Sequence, residues 1–93
     1  MTLITKKREE ANFEASCLQV AKNGELSPRE VEVFMLLVAG KDRADIREEL
    51  FISNDTVKSH TRRIYSKLDI HSKKEARELV DQHIERENRG MNN

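Results

Sequence analysis

From residue 13 onward the apolar positions recur at helical rather than strand spacing. Phe13, Cys17, Val20 and Ala21 follow one another at intervals of four, three and one, a narrow face on a helix of about four turns. Asn23-Gly24 stops it, since glycine and asparagine take up the left-handed conformation that ends helices. Leu26-Ser27-Pro28-Arg29-Glu30 then carries a helix start: Ser27 at the N-cap, Pro28 at the first helical position, and Glu30 placed to close a capping box. The run Val31 to Ala39 is apolar around almost its whole circumference apart from Glu32, which predicts a central helix covered on several sides. Gly40 ends it.

A short helix is predicted from Asp42 or Arg43 to Leu50, with Ile46 and Leu50 facing inward, followed by an apolar turn at Phe51-Ile52. Ser53 caps the next helix, and Asp55 lies in its first turn, where the positive end of the helix dipole favours a carboxylate. At 100° per residue, Val57, Thr61, Ile64 and Leu68 fall within about 60° of one another. Ser59, Arg62, Arg63 and Ser66 lie opposite them, with Lys58 flanking. Ser72 and Glu75 repeat the capping-box spacing and open a last helix with Ala76, Leu79, Val80 and Ile84 on one side. Residues 85–93, polar throughout, are predicted to fray. Two short helices joined by a tight turn form a helix-turn-helix, in which the first props the second at a fixed angle.

Composition narrows the function. In 93 residues there is room for one small domain and no deep cleft. No nucleophile–base pair and no glycine-rich phosphate loop is present, so an enzyme is not expected. The lone Cys17 excludes an internal disulfide framework and fits a reducing, cytoplasmic setting. The longest apolar run, Val33 to Ala39, has seven residues, far short of the ~20 of a membrane span. The formal charge is zero, with 17 basic and 17 acidic side chains, but their distribution is uneven. Residues 53–74 hold six cations (Lys58, Arg62, Arg63, Lys67, Lys73, Lys74) against Asp55 and Asp69, the minimum footprint of a phosphate-binding surface. A solvated helix face accounts for such a run more often than not.

Other candidate groups read as structural. His60, at the edge of the apolar stripe, is expected to pack and donate one ring hydrogen bond. His71 and His83 are twelve apart and Cys17 has no thiol partner, so no metal-ligand spacing exists and no cofactor is implied. Glu30 and Asp55 read as capping and dipole groups rather than catalytic carboxylates.

Three segments resemble the LuxR/GerE-type DNA-binding domain. Leu26-Ser27-x-Arg29-Glu30-x-Glu32-Val33-Phe34-x-Leu36-Leu37-x-x-Gly40 is similar to its opening. Ile46, then Leu50-x-Ile52-Ser53-x-x-Thr56-Val57-Lys58-x-His60-x-x-x-Ile64-x-x-Lys67-Leu68, is similar to its helix-turn-helix. Ile70-x-Ser72-Lys73-x-Glu75-Ala76 resembles the entry to its fourth helix. The resemblance implies an all-α, four-helix domain at 26–84, with 1–25 an additional N-terminal helix or connector and 85–93 a tail. It also implies a bacterial transcription regulator that binds double-stranded DNA, with a recognition helix at about 53–68 in the major groove. Lys58, Ser59 and Arg62 then correspond to base-contacting positions, and Thr56 and Lys67 to backbone-contacting ones. Arg63 and the hydroxyl of Tyr65 are added as phosphate contacts from their place beside the basic face. Departures from the pattern are mild. Arg47 stands where the family has a small residue and is expected to reach out to solvent; Lys73 replaces an arginine.

The face formed by Ala76, Val80 and Ile84 is broad for one small domain to bury. We therefore expect Val80 and Ile84 to be partly exposed and to meet their two-fold mates in a homodimer on a two-fold operator. RNA polymerase is a further partner of such regulators; no small-molecule ligand is expected within the chain. The amphipathic segment leading into Leu26 reads as a connector, which favours a C-terminal piece of a larger regulator. The alternative reading is a helix-turn-helix domain that serves as a protein–protein module without strong DNA binding.

Overall fold

The computed structural model describes the backbone of residues 2–91 and the side chains of residues 12–88. Five helices follow in order: α1 (Thr2–Asn23), α2 (Pro28–Val38), α3 (Arg43–Leu50), α4 (Asn54–Leu68) and α5 (Lys73–Met91). No strand occurs among the described residues. Helix α2 packs against α1, α4 and α5, while α3 packs on α4 and α5 on α1. The apolar α2 segment is thus enclosed as its composition requires, with Val33, Phe34, Leu37 and Val38 buried.

Local chemistry sets the helix ends. Ser27 accepts from the Glu30 amide at 3.2 Å, and Glu30 accepts from the Ser27 amide at 2.9 Å, closing the expected box. Asp42 and Asp45 make a second box at α3, and Ser53 caps α4 by accepting from the Thr56 amide at 3.1 Å. At α5 the reciprocal half differs from expectation. Ser72 accepts from the Glu75 amide, but the Glu75 carboxylate takes the amide of His71 instead of Ser72. Gly40, at φ 89°, holds the left-handed turn after α2. Gly24 matters by its lack of a side chain, since a methyl there would strike Leu68.

The core extends further along the chain than the 26–84 domain expected from sequence. Cys17, Val20 and Ala21 of α1 are buried with Ile46, Val57, Ile64 and Ile70, and Phe13 packs at the margin. Burial pushes the Cys17 thiol up to about 11, with the nearby Arg77 guanidinium only partly offsetting it, so the thiol is protonated and inert at neutral pH. Helix α5 runs on through the segment expected to fray, as far as Met91; residues 92 and 93 lie outside the described residues. Arg77 braces α5 against the rest: its guanidinium lies 4.7 Å from the centroid of the Phe13 ring and donates to the Val38 carbonyl at 3.4 Å.

This packing corrects the assignment of Ala76 and Val80 to a dimer contact. Both are completely buried, at 0 % exposure, because α1 and α2 together cover the α5 face that a shorter domain would have left open. Ile84 is half-buried.

One tertiary tie stands apart from the apolar core. The Glu30 side chain is only 3 % exposed and pairs with Lys67 Nζ at 2.7 Å, joining the start of α2 to the end of α4. Lys67 also donates to the Glu25 carbonyl at 3.3 Å. Burial raises the Glu30 pKa, but the hydrogen bonds from Lys67 and from the Ser27 amide outweigh it, and the net displacement is downward.

Lys67→Ala is expected to cost about 2–3 kcal/mol in urea unfolding, less than for a fully buried pair because the ammonium remains partly solvated. A depressed carboxylate pKa stabilises the fold fully above the ordinary value near ~4.3 and loses that contribution as pH falls through the folded value. The stability difference between the native chain and Glu30→Gln should therefore be constant at neutral pH and shrink in acid. Val80→Ala should lower stability by about 2 kcal/mol at every protein concentration, the mark of a core residue rather than a subunit contact.

Candidate nucleic-acid interface

Helices α3 and α4 are joined through Phe51, Ile52 and Ser53. Phe51 adopts the left-handed conformation (φ 54°, ψ 47°) at the α3 C-cap, and its amide donates to the Arg47 carbonyl. Its side chain is 93 % exposed, so the turn expected to be apolar buries Ile52 in part and leaves Phe51 in solvent. Across the turn, Arg29 of α2 donates to the Leu50 carbonyl at 3.2 Å while pairing with Glu32 at 2.8 Å. Arg47 is exposed, as expected.

Helix α4 divides cleanly into two sides. Val57 and Ile64 are buried, at 2 % and 0 %, with Thr61 and Leu68 half-buried beside them. On the opposite side Lys58, Ser59, Arg62, Arg63 and Ser66 are all exposed. None of Lys58, Arg62 and Arg63 makes a hydrogen bond or ion pair among the described residues, so their charge is uncompensated. Thr56, half-buried, bonds the Ser53 hydroxyl at 2.8 Å. Tyr65 is half-buried; burial first, and the Glu75 carboxylate second, raise its pKa. It faces the side of α4 nearer α5. His60 is half-buried with its Nδ1 lacking any hydrogen-bond partner among the described residues, where a ring hydrogen bond was expected.

Lys67 departs most from its sequence reading. Expected at a phosphate, it is engaged inside the domain by Glu30 and the Glu25 carbonyl. Its place on the wheel carried the signal: at 100° per residue it lies beside His60 on the flank of the apolar stripe, away from the outward centre. Lys73 is similarly occupied, donating to the Gly40 and Lys41 carbonyls at 3.4 and 3.3 Å and tying the α2–α3 turn to α5. Asp42 beside it is held below the ordinary carboxylate value, first by the Asp45 amide.

Between α4, the start of α3 and the α4–α5 turn runs an open groove of about 780 Å³. Leu37, Ile46, Val57 and Ile70 are among its lining residues, and Lys58 and Arg62 stand along its α4 side with Lys41 and Arg43 across from them. Three unpaired cations, Lys58, Arg62 and Arg63, therefore stand together on the outward side of α4.

The family model for bacterial regulatory proteins of the luxR family matches residues 14–80, which takes in the part of α1 that enters the core. The transcriptional regulatory protein LiaR of Bacillus subtilis is 45% identical over 51 residues, covering 55% of this chain and 24% of that protein. The oxygen regulatory protein NreC of Staphylococcus haemolyticus is 46% identical over 50 residues, 54% of this chain and 23% of the relative. The HTH-type transcriptional regulator MalT of Vibrio cholerae is 33% identical over 64 residues, 69% of this chain but 7% of the relative. The chain spans about a quarter or less of the length of these curated relatives. No solved structure matches it significantly. No helix among the described residues is long and apolar enough to cross a membrane. With its helix-turn-helix and the 14–80 match together, the chain belongs to the luxR family of DNA-binding transcription regulators.

Proposed function

We propose that this domain binds double-stranded DNA sequence-specifically, with α4 in the major groove, as the DNA-binding part of a bacterial cytoplasmic transcription regulator. The observation that carries this reading is the net positive outward face of α4, where Lys58, Arg62 and Arg63 outnumber Asp55. Lys58, Ser59 and Arg62 project opposite the buried Val57–Ile64 side, while the neighbouring Lys67 and Lys73 are held by internal partners. A cluster of free cations on one helix face suits a polyanion even where the whole chain carries no net charge. In this reading Arg62 pairs with guanine O6 and N7, Lys58 and Ser59 meet base edges beside it, and Arg63 and Thr56 hold phosphates. Tyr65, on the α5 side of α4, reaches a phosphate through its hydroxyl.

Two copies then occupy a two-fold operator. Ala76 and Val80 are excluded from the contact between them by their burial; Ile84, at the edge of the α5 surface, remains able to join it. RNA polymerase stays a further partner in this scheme.

Selection of binding sites from random duplex DNA tests the reading, and a palindromic product is the expected result. Arg62→Ala should weaken binding to the selected site by about 1–3 kcal/mol and relax one position while leaving non-specific affinity nearly unchanged. Arg63→Ala should weaken all duplexes alike and lower the slope of log K against log salt by about one. Absence of salt-dependent retention on duplex DNA, with no enriched sequence, would instead favour a protein–protein module.

A further inference from the structure

Asp55 is the acidic group that the DNA-binding reading leaves without a task. It stands in the first turn of α4, where the helix dipole favours a carboxylate, but it takes no part in the cap, which Ser53 makes by accepting the Thr56 amide at 3.1 Å and bonding the Thr56 hydroxyl at 2.8 Å. Asp55 is exposed and has no hydrogen bond or ion pair among the described residues. Nine positions before the completely buried Ile64, it points directly away from the core at 100° per residue. Ser59, Arg62 and Ser66 lie within about 40° of it on the same wheel. It therefore shares the centre of the outward stripe with Arg62, separated by seven residues, or about 10 Å along the axis at ~1.5 Å per residue.

A carboxylate at the centre of a face turned to a polyanion is repelled by phosphates and is met favourably there by a hydrogen-bond donor on a base edge. The floor of the major groove offers two such donors, cytosine N4 and adenine N6. The adenine amino group is flanked by acceptors on both sides, N7 of its own ring and O4 of the paired thymine. The cytosine amino group has an acceptor on one side only, the guanine O6. We infer that Asp55 is a specificity-determining residue that accepts the N4 amino group of a cytosine two to three base pairs from the base read by Arg62. The spacing follows from the axial separation of the two side chains and the ~3.4 Å rise per base pair. This inference rests on the reading of α4 as a major-groove helix, and it assigns to an acidic side chain a part in recognition that the basic residues alone do not supply.

The test is parallel selection from random duplexes with the whole chain and with its Asp55→Ala and Asp55→Asn variants, each checked for an unchanged melting transition. Asp55→Asn keeps the volume of the side chain and removes its charge, and so serves if the alanine variant folds poorly. The native chain is expected to prefer cytosine about tenfold at one column, two to three base pairs from the guanine lost in Arg62→Ala. Both Asp55 variants should reduce that preference to about twofold or less and leave the other columns as they were. Affinity for unselected duplex should hold or rise, because a negative charge has been removed. An unchanged motif with uniformly tighter binding would overturn the inference and leave Asp55 a mere repellent of phosphates. Erosion of every column together with a lowered melting transition would also overturn it, showing that the residue only supports the helix. Should the native chain itself enrich no motif, the underlying DNA-specificity reading falls, and this inference with it.

Discussion

A single buried carboxylate, Glu30, ties the end of α4 to the start of α2. It sits in the first turn of α2, 3 % exposed at the side chain, and its Oε1 accepts from both the Ser27 amide and Lys67 Nζ. The first bond closes the local capping box; the second clamps the last turn of α4. A carboxylate so enclosed cannot be left with one donor missing, since the desolvation it has suffered is recovered only through those bonds. The neighbouring Arg29 reaches the Leu50 carbonyl at the end of α3. One turn of α2 therefore grips the final residues of both α3 and α4, and the angle between them is fixed from outside the pair as well as by their own packing around Ile46 and Val57.

That grip also explains how a chain of zero net charge presents a basic face. The cations divide by what they touch. Arg29, Lys67, Lys73 and Arg77 donate to carbonyls at Leu50, Glu25, Gly40, Lys41 and Val38, most of them at helix ends or turns where backbone acceptors lack partners. Their charge serves the fold. Lys58, Arg62 and Arg63 have no such duty, and the field they create is local to α4. Whole-chain charge is thus a poor guide to this surface, which depends on where unbonded cations cluster.

Much of this was legible from local chemistry. Ser27, Asp42 and Ser53 announce helix starts because a cap involves residues three apart in sequence, and the inward stripe of α4 follows from its period alone. Long-range partners were not legible. Nothing in the spacing of Lys67 names Glu30, thirty-seven positions earlier, and the family resemblance drew attention instead to DNA. The α5 face was misjudged for a related reason. The face is broad for a domain that begins at residue 26, but Cys17, Val20 and Ala21 of α1 also enter the core, so Ala76 and Val80 are consumed inside the domain. The cap of α5 failed in one half because Glu75 reaches past Ser72 to His71, a choice of amide that sequence spacing does not resolve.

The burial of Ala76 and Val80 has a consequence for assembly. What α5 turns outward is polar, with Lys74, Glu78, Asp81 and Gln82 exposed, and Arg77 engaged with Asp81 at 3.2 Å. A two-fold pairing whose axis passes near Glu78 and Asp81 sets these residues of one copy near those of its mate, with no wide apolar stripe to compensate. Exposed charges of like sign at such range are repulsive by an amount that salt screens. Two copies lacking a strong contact of their own are brought together by whatever holds both at once, and a duplex with two half-sites does so by raising the concentration of each near the other. On that view the symmetry of the bound state belongs to the operator first and to the protein second, and the rigid α4 mounting supplied by Glu30 and Arg29 is what lets each copy register its half-site independently.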